Sequence, residues 1–243
     1  MFASMLEDVA EQCKSLTLYS DERLVSIFSR SFGDKVEVQS CLEDLSSRSF
    51  DAHIPIGSLG KFVRRDRDSF TNQREGYLRP ENEVVNVIRA NLKKSFGDKE
   101  IIGLSWFSNS PTHHRLVRNI DLSKLINGFT SKDAIFVCLQ YGDVEADIRE
   151  AQLKTGISVF NPADIDQFHD VDNLSNLICA CDRVVSIDNA TVHLAAAHGI
   201  PTKVLLPTDV DWRWGTFGEE SYWYPSLKLV RQVKPGRWLR ENF

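Results

Sequence analysis

With 243 residues and a net charge of −5, the chain is long enough for one large core or two modest ones and has no overall basic surface. This charge disfavours nonspecific nucleic-acid binding, and we expect no nucleic-acid partner. No apolar run approaches membrane-spanning length, and the first residues lead into acidic ones, where a secretory signal would be basic and then apolar. Five cysteines, an odd number, fit a reducing compartment, so we expect a cytoplasmic protein.

The first 97 residues predict half of a Rossmann-like lobe. Helices and strands alternate at its start, over residues 7–15, 16–19, 22–32 and 36–38. A short strand and turn are expected over 54–59, followed by a charged, irregular segment. Residues 81–96 predict an amphipathic helix with a basic last turn, ended by a glycine.

A second series of strands and helices begins near residue 98. Strands are predicted over 101–106, 134–140, 157–160, 184–187, 203–206 and 227–230. Helices are predicted between them, over 122–129, 144–155, 172–180 and from about 190. Such crossovers predict a parallel sheet, in which ligands bind beyond the carboxyl ends of the strands.

Residues 181–207 predict a strand, a tight turn, a helix of small residues, a glycine stop and a second strand. Asp188 and Asn189 provide the N-cap chemistry, and Thr191 lies in the first helical turn. The unpaired N–H groups and the helix dipole there suit a phosphate or a diphosphate. Packing alone is the competing explanation, since most such turns bind nothing and His193 by itself is typical of a capping or core histidine.

Polar side chains follow two other predicted strands. The loop over 107–119 carries hydroxyls, amides, histidines and arginines, and the loop after 134–140 carries an amide and a tyrosine. We expect these loops to converge with the 188–193 turn on one crevice. Arg118 is the preferred charge partner for a phosphate, although an exposed arginine before an apolar residue explains it equally well.

Several common sites are absent from the sequence. There is no phosphate-binding P-loop, no G-x-G-x-x-G turn and no G-x-S-x-G elbow. His113 and His114 are adjacent and have no third ligand at a recognisable spacing, and the pair Cys179 and Cys181 lacks a second pair. We expect neither a metal ion nor a cofactor.

A set of motifs in order resembles the catalytic region of bacterial heptosyltransferase-like (family 9) glycosyltransferases, and most of all the type fused to tetratricopeptide repeats. The motifs are IGLSWFSNS, RNIDLSKL, LQYGD, VDNLSNLICACDRVVSIDNATVHLAAAHGIPTKVLLP, DWRWG and WYPSLKLVRQ. The likeness is strongest from Ile101 to Gln232 and weaker over 1–95. It implies an α/β fold of the GT-B type, with two Rossmann-like lobes and parallel sheets, distantly similar to O-GlcNAc transferase.

The resemblance also implies a donor site. The diphosphate and the adjoining sugar would be surrounded by Asp188, Asn189, Ala190 and Thr191, and His193 would brace their turn. The crevice would be lined by Ser105 and Asn109, and Arg118 would face the phosphates. The nucleoside would meet Gln140, Tyr141 and Gly142. Trp212 and Trp214 resemble the family's aromatic loop, for which packing of the lobes is a sufficient role.

The predicted organisation is an acceptor-side lobe over 1–97, a nucleotide-sugar lobe over 98–232 and a tail over 233–243. Family members carry a strand and a Gly-Asp turn before the segment that matches Met1, so we expect a truncated N-terminal lobe that lacks the general base. We assign no catalytic residue, because Asp8, Asp51 and Asp143 are equally well explained as helix-end or loop carboxylates.

The expected function is metal-independent transfer of a sugar from a nucleoside-diphosphate donor to a hydroxyl of a glycan, a lipid-linked molecule or a protein. A catalytically silent nucleotide-sugar-binding module, or a fragment that lacks the general base, is the alternative, and a sugar epimerase is a third, less favoured one. The resemblance leaves open peripheral membrane association and tetratricopeptide repeats upstream.

Overall fold

The structure, a computed structural model, describes residues 1–42, 48–70, 73–108, 118–131, 133–235 and 237–238. It is an α/β architecture with two parallel sheets, as the sequence predicts. The sheet of two strands and the helices beside it are called the first unit, and the sheet of seven strands with its helices is called the second unit.

The first unit is built around one β-α-β crossover. Its strands β1 (Thr17–Ser20) and β2 (Glu37–Ser40) pair in parallel and are joined by α2 (Glu22–Phe32), whose N-cap is Asp21. Two short helices, α1 (Leu6–Ala10) and α3 (Gly60–Val63), complete it.

The strands of the second unit follow from short β-branched runs. They are β3 (Glu100–Ser105), β4 (Ala134–Cys138), β5 (Val159–Phe160), β6 (Arg183–Ile187), β7 (Thr202–Leu206), β8 (Leu227–Lys234) and β9 (Arg237–Trp238). Their order is β5-β4-β3-β6-β7-β8-β9, and all pairs are parallel except β8 with β9. From β3 the chain adds β4 and β5 on one side and then β6, β7 and β8 on the other, so the topological switch point lies between β3 and β6. Open α/β sheets bind ligands at such a point.

Among the described residues, five helices cover the second sheet. They are α4 (Asn82–Phe96), α5 (Leu122–Asn127), α6 (Glu145–Thr155), α7 (Val171–Cys179) and α8 (Ala190–Ala197). Helix α8 begins at its predicted residue and is followed by Gly199, whose φ of 77° provides the left-handed stop. Leu92 of α4 packs with Ile101 and Ile178, so α4 lies on the second sheet.

Two sequence predictions in the first unit are wrong. The turn expected within 54–59 is present, as the 3-10 helix Ile56–Leu59, but the strand expected beside it is not, because Pro55 lacks an N–H and its carbonyl accepts a bond from Ser58 N at 2.8 Å. The helix predicted over 7–15 stops at Ala10, where bonds of the i to i+3 type replace the α-helical pattern.

The two units share one hydrophobic core. Ile27 and Phe32 of the first unit belong to the same buried cluster as Val192 and Trp214 of the second. A segment of the first unit also caps α8: the backbone N–H groups of Tyr77 and Leu78 both donate to the carbonyl of Ala197, at 2.8 and 2.9 Å. The first unit is therefore fixed against α8 and the strands beside it.

Candidate functional site

A cavity of about 890 Å³ lies at the carboxyl edge of the seven-stranded sheet, between the two units. Three loops predicted to converge do so: Ser108 and Arg118 follow β3, Tyr141 follows β4, and the turn of Asp188 to Thr191 follows β6. Its volume is in the range of sites that hold small molecules and cofactors.

The turn before α8 is fixed by hydrogen bonds to both central strands. Asn189 is the N-cap: its Oδ1 accepts from Thr191 N at 3.0 Å. The same oxygen accepts from Ser186 Oγ of β6 at 3.0 Å, and Asn189 Nδ2 donates to Ser105 Oγ of β3 at 2.7 Å. Asn189 thus aims the start of α8 at the cavity, where the backbone N–H groups of its first turn lack intrahelical acceptors.

Two of the predicted donor-site residues lie behind the cavity wall. Ser105 and Gln140 are fully buried. Gln140 Oε1 accepts from Ser105 Oγ at 2.9 Å and from the backbone N–H groups of Trp106 and Phe107 at 3.0 Å each. These contacts join the loops after β3 and β4, so both side chains shape the site from beneath. Tyr141 lines the cavity, whereas its neighbour Gly142 does not.

Arg118 is held at the boundary between β3 and β6. Its Nη1 donates to the carbonyl of Asp188 at 3.2 Å, and its Nη2 donates to Ser108 Oγ at 3.0 Å. Its Nε is buried and has no partner among the described residues. The guanidinium therefore lies beside the start of α8, so a single anion can meet both. Asn109, like His113 and His114, lies outside the described residues.

Asp188 is the most buried carboxylate of the cavity wall, with 8% of its surface exposed. Burial raises its pKa, against the opposing effects of the Trp214 indole and of the Arg213 and Arg118 guanidiniums. A carboxyl group with a raised pKa is more easily protonated, and the protonated, neutral form does not repel an anionic ligand. The raised pKa therefore lowers the free-energy cost of binding an anion beside Asp188.

His193 packs into the wall instead of presenting a charge. Its Nδ1 lies 3.0 Å from Tyr224 Oη, and its ring stacks on Trp214 with centroids 5.2 Å apart. Burial lowers the pKa of His193 to about 3, so the ring is neutral at physiological pH. Trp214 is buried in the shared core, whereas Trp212 is 65% exposed.

The sequence did not reveal the remaining walls. Arg23, Leu24 and Phe28 of α2 line the cavity from the first unit, and Phe168 lines it from the loop after β5. Three further charged residues follow β7, namely Asp209, Asp211 and Arg213. Of these residues, only Phe168 could have been noticed in the sequence, as an aromatic residue in the mostly polar segment 161–170. The positions of the others depend on how the two units pack.

The carboxylates considered as bases lie elsewhere. None of Asp8, Asp51 and Asp143 lines the cavity, and Asp8 is paired with Arg64 at 2.7 Å. Across the described residues, no three His, Cys, Asp or Glu side chains group closely enough to hold a metal ion. Within the same residues, no helix has the length and apolarity needed to cross a membrane.

Comparison with known proteins places this fold. No family model matches the chain. It is 30% identical to protein FlbA of Caulobacter vibrioides over 262 aligned positions, which cover 98% of this chain and 42% of that protein, so the chain spans less than half of this curated relative. The structure of a glycosyl transferase family 9 protein from Veillonella parvula superposes with a TM-score of 0.56 at 12% identity, over 96% of this chain and 83% of that chain.

A weaker likeness, with a TM-score of 0.45 and 14% identity, is to ADP-heptose lps heptosyltransferase II of E. coli, over 75% of this chain and 54% of that one. The superposition on the Veillonella protein shows a shared fold, so the chain has the GT-B type of architecture that the sequence motifs predicted.

Proposed function

We propose that this chain transfers a sugar from a nucleoside-diphosphate donor to a hydroxyl acceptor without a metal ion. One observation carries the proposal: the start of α8 opens onto a cavity of about 890 Å³ at the switch point of the sheet, with Arg118 fixed beside it. The fold shared with a family 9 protein agrees with this reading.

The geometry suits a departing diphosphate. When an acceptor hydroxyl attacks the anomeric carbon, the bond from that carbon to the phosphate oxygen breaks, the hydroxyl proton is released to water, and negative charge develops on the diphosphate. We expect the remaining first-turn N–H groups of α8 and the Arg118 guanidinium, which is held in place by Asp188 and Ser108, to stabilise that charge with little reorganisation. In this proposal they do the work that a divalent cation does in other transferases.

The finer parts of the proposal rest on the sequence resemblance. They are a glycan, a lipid-linked molecule or a protein as acceptor, a cytoplasmic location, and membership of the type that carries tetratricopeptide repeats and resembles O-GlcNAc transferase. FlbA extends well beyond the region that matches this chain, so whatever FlbA does as a whole can depend on segments that have no counterpart here.

Titration calorimetry with UDP, ADP, GDP and dTDP tests the phosphate site. We expect at least one to bind, and Arg118→Ala to weaken it by about 10- to 100-fold, the usual worth of a charge-assisted contact. Arg183→Ala is the matched control, because Arg183 pairs with Glu100 at the opposite, amino end of β6. Equal affinities of wild type and Arg118→Ala would remove Arg118 from the phosphate role.

The silent binding module is favoured by one observation, namely that none of Asp8, Asp51 and Asp143 lines the cavity. Release of nucleoside diphosphate from the matching nucleotide sugar, measured in the presence of EDTA, separates the two functions. Turnover that survives chelation supports the metal-independent transferase, and donor binding without turnover, with or without added Mg²⁺, supports the silent module.

A further inference from the structure

Phe168 is an exposed aromatic side chain on the wall of the cavity. It lies in the loop between β5 and α7, and 51% of its surface is exposed. Exposure of a large apolar ring costs free energy in water, and the cost is recovered when a ligand covers the ring.

The backbone around Phe168 is held on both sides. Asp166 Oδ1 accepts from the N–H groups of Phe168 and His169, both at 3.0 Å, which makes a tight turn. The carbonyl of Phe168 accepts from Arg23 Nη1 of the first unit at 3.1 Å, and Arg23 is itself held by both carboxylate oxygens of Asp21. The exposed ring is therefore presented in a fixed position, so a ligand that covers it pays little ordering entropy.

The neighbours of the ring cover only part of it. The Arg23 guanidinium carbon lies 5.3 Å from the ring centroid, and the ring centroids of His169 and Tyr141 lie 4.9 and 5.7 Å away. The guanidinium lies over the ring, Tyr141 is tilted and His169 is edge-on, and together they leave half of the residue exposed. The result is an aromatic surface at one side of the cavity.

Gln167 adds a hydrogen-bond acceptor at the same place. It lines the cavity, and its Nε2 donates to the carbonyl of Cys138 at 2.9 Å. This bond orients the amide, and Oε1 carries no hydrogen bond within the described part of the chain, so it can accept one from a ligand. An acceptor beside an aromatic surface matches a heterocycle that has an N–H group.

The order of the strands sets the direction of the ligand. Phe168 follows β5 and Tyr141 follows β4, whereas the start of α8 follows β6, three strands from β5. At about 4.8 Å per strand, this separation is about 14 Å, the scale of an extended nucleoside diphosphate.

We propose that Phe168 is the stacking surface for the nucleobase of the donor and that Gln167 accepts a hydrogen bond from that base. The donor then lies across the carboxyl edge of the sheet, with its base at the loops after β4 and β5 and its diphosphate at α8. This inference rests on the proposed function, because it concerns the other end of the same ligand.

The test compares ligands with and without a base. For whichever of UDP, ADP, GDP and dTDP binds most tightly, we expect Phe168→Ala to weaken binding by about 5- to 150-fold, the range of one base stacked on an aromatic ring. Inorganic pyrophosphate should bind Phe168→Ala as it binds the wild type, and Phe168→Trp should retain the affinity of the nucleotide. Phe217→Ala is the matched control, because Phe217 is 79% exposed and does not line the cavity.

The outcomes separate the inference from the proposed function. Nucleotide binding that is unchanged in Phe168→Ala overturns the stacking role and leaves the donor site standing. Equal losses for the nucleotide and for pyrophosphate also overturn it, because they indicate a general disturbance of the loop. If the wild type binds neither the nucleotides nor pyrophosphate, the proposed function itself fails, and this inference with it.

Discussion

The two sheets of this chain differ in how they acquire a buried surface. The seven-stranded sheet has two cores of its own, one around Leu104, Phe136 and Ile126 and one around Ile101 and Val184. The two-stranded sheet has no such core among the described residues: its buried side chains, such as Leu18 and Ile27, pack with residues of α8, β7 and β8.

This difference bears on the cavity between the units. A sheet of two strands is marginal by itself and needs a partner surface. Here the partner is the face of the second unit that adjoins the cavity, so the wall formed by Arg23, Leu24 and Phe28 is positioned by apolar packing. We therefore expect the first unit to unfold whenever the shared core is lost, and the second unit to tolerate damage to the first.

Removal of the more deeply buried tryptophan of the shared core should have the greatest effect. Trp214 is 3% exposed and stacks on His193, so Trp214→Ala should lower the free energy of unfolding by about 3–5 kcal/mol. Denaturant unfolding measures the loss, and hydrogen exchange should show faster exchange in β1 as well as in β6. Trp212→Ala in the same turn is the control, with a change of less than about 0.5 kcal/mol, because Trp212 is 65% exposed. Unchanged protection of β1 in Trp214→Ala would contradict a shared core.

A matched pair of isoleucines tests the asymmetry. Ile27 of α2 and Ile126 of α5 are both 0% exposed, the first in the shared core and the second in a core of the second unit alone. Each change to Ala leaves a cavity worth about 2–4 kcal/mol. Ile27→Ala should speed exchange in β1 and β2 far more than in β3 and β4, whereas Ile126→Ala should speed it throughout. The same pattern in both variants would mean that the units do not differ in this way.

The smallest expected effect is a pH dependence at the joint between the units. His198 follows α8, its Nδ1 lies 3.2 Å from the carbonyl of Leu78, and burial lowers its pKa to about 4. Below the unfolded value of about 6.5 the unfolded chain binds a proton that the folded chain does not, so stability falls as the pH falls. Between about pH 7 and about pH 5 this loss is about 1–2 kcal/mol.

Urea unfolding at several pH values measures that slope. The burial of His193, whose pKa is about 3, contributes a slope of the same sign. His198→Gln should therefore reduce the pH dependence without abolishing it. A slope identical to that of the wild type would show that His198 is not protonated differently in the two states.

The parts of the fold that the sequence predicted are those with local causes. Helix α2 has its predicted limits, since a capping aspartate and the apolar spacing act within one segment. Helix α8 begins after Asn189 and ends at a glycine, as the residues require. The wrong predictions, the strand within 54–59 and the helix beyond Ala10, concern short segments with little periodicity in their apolar residues. In such segments tertiary contacts decide the conformation.

The site divides in the same way. The sequence by itself determined the turn at Asp188 to Thr191 and the parallel strands whose loops bring Arg118 and Tyr141 beside it, because cap chemistry and the strand–helix–strand pattern can be read from the sequence. Only the tertiary structure decided that Ser105 and Gln140 lie beneath the wall and that Arg23 and Phe168 form its far side. The physical reason is that a side chain's depth and partners are set by elements distant in sequence, whose packing no single segment encodes.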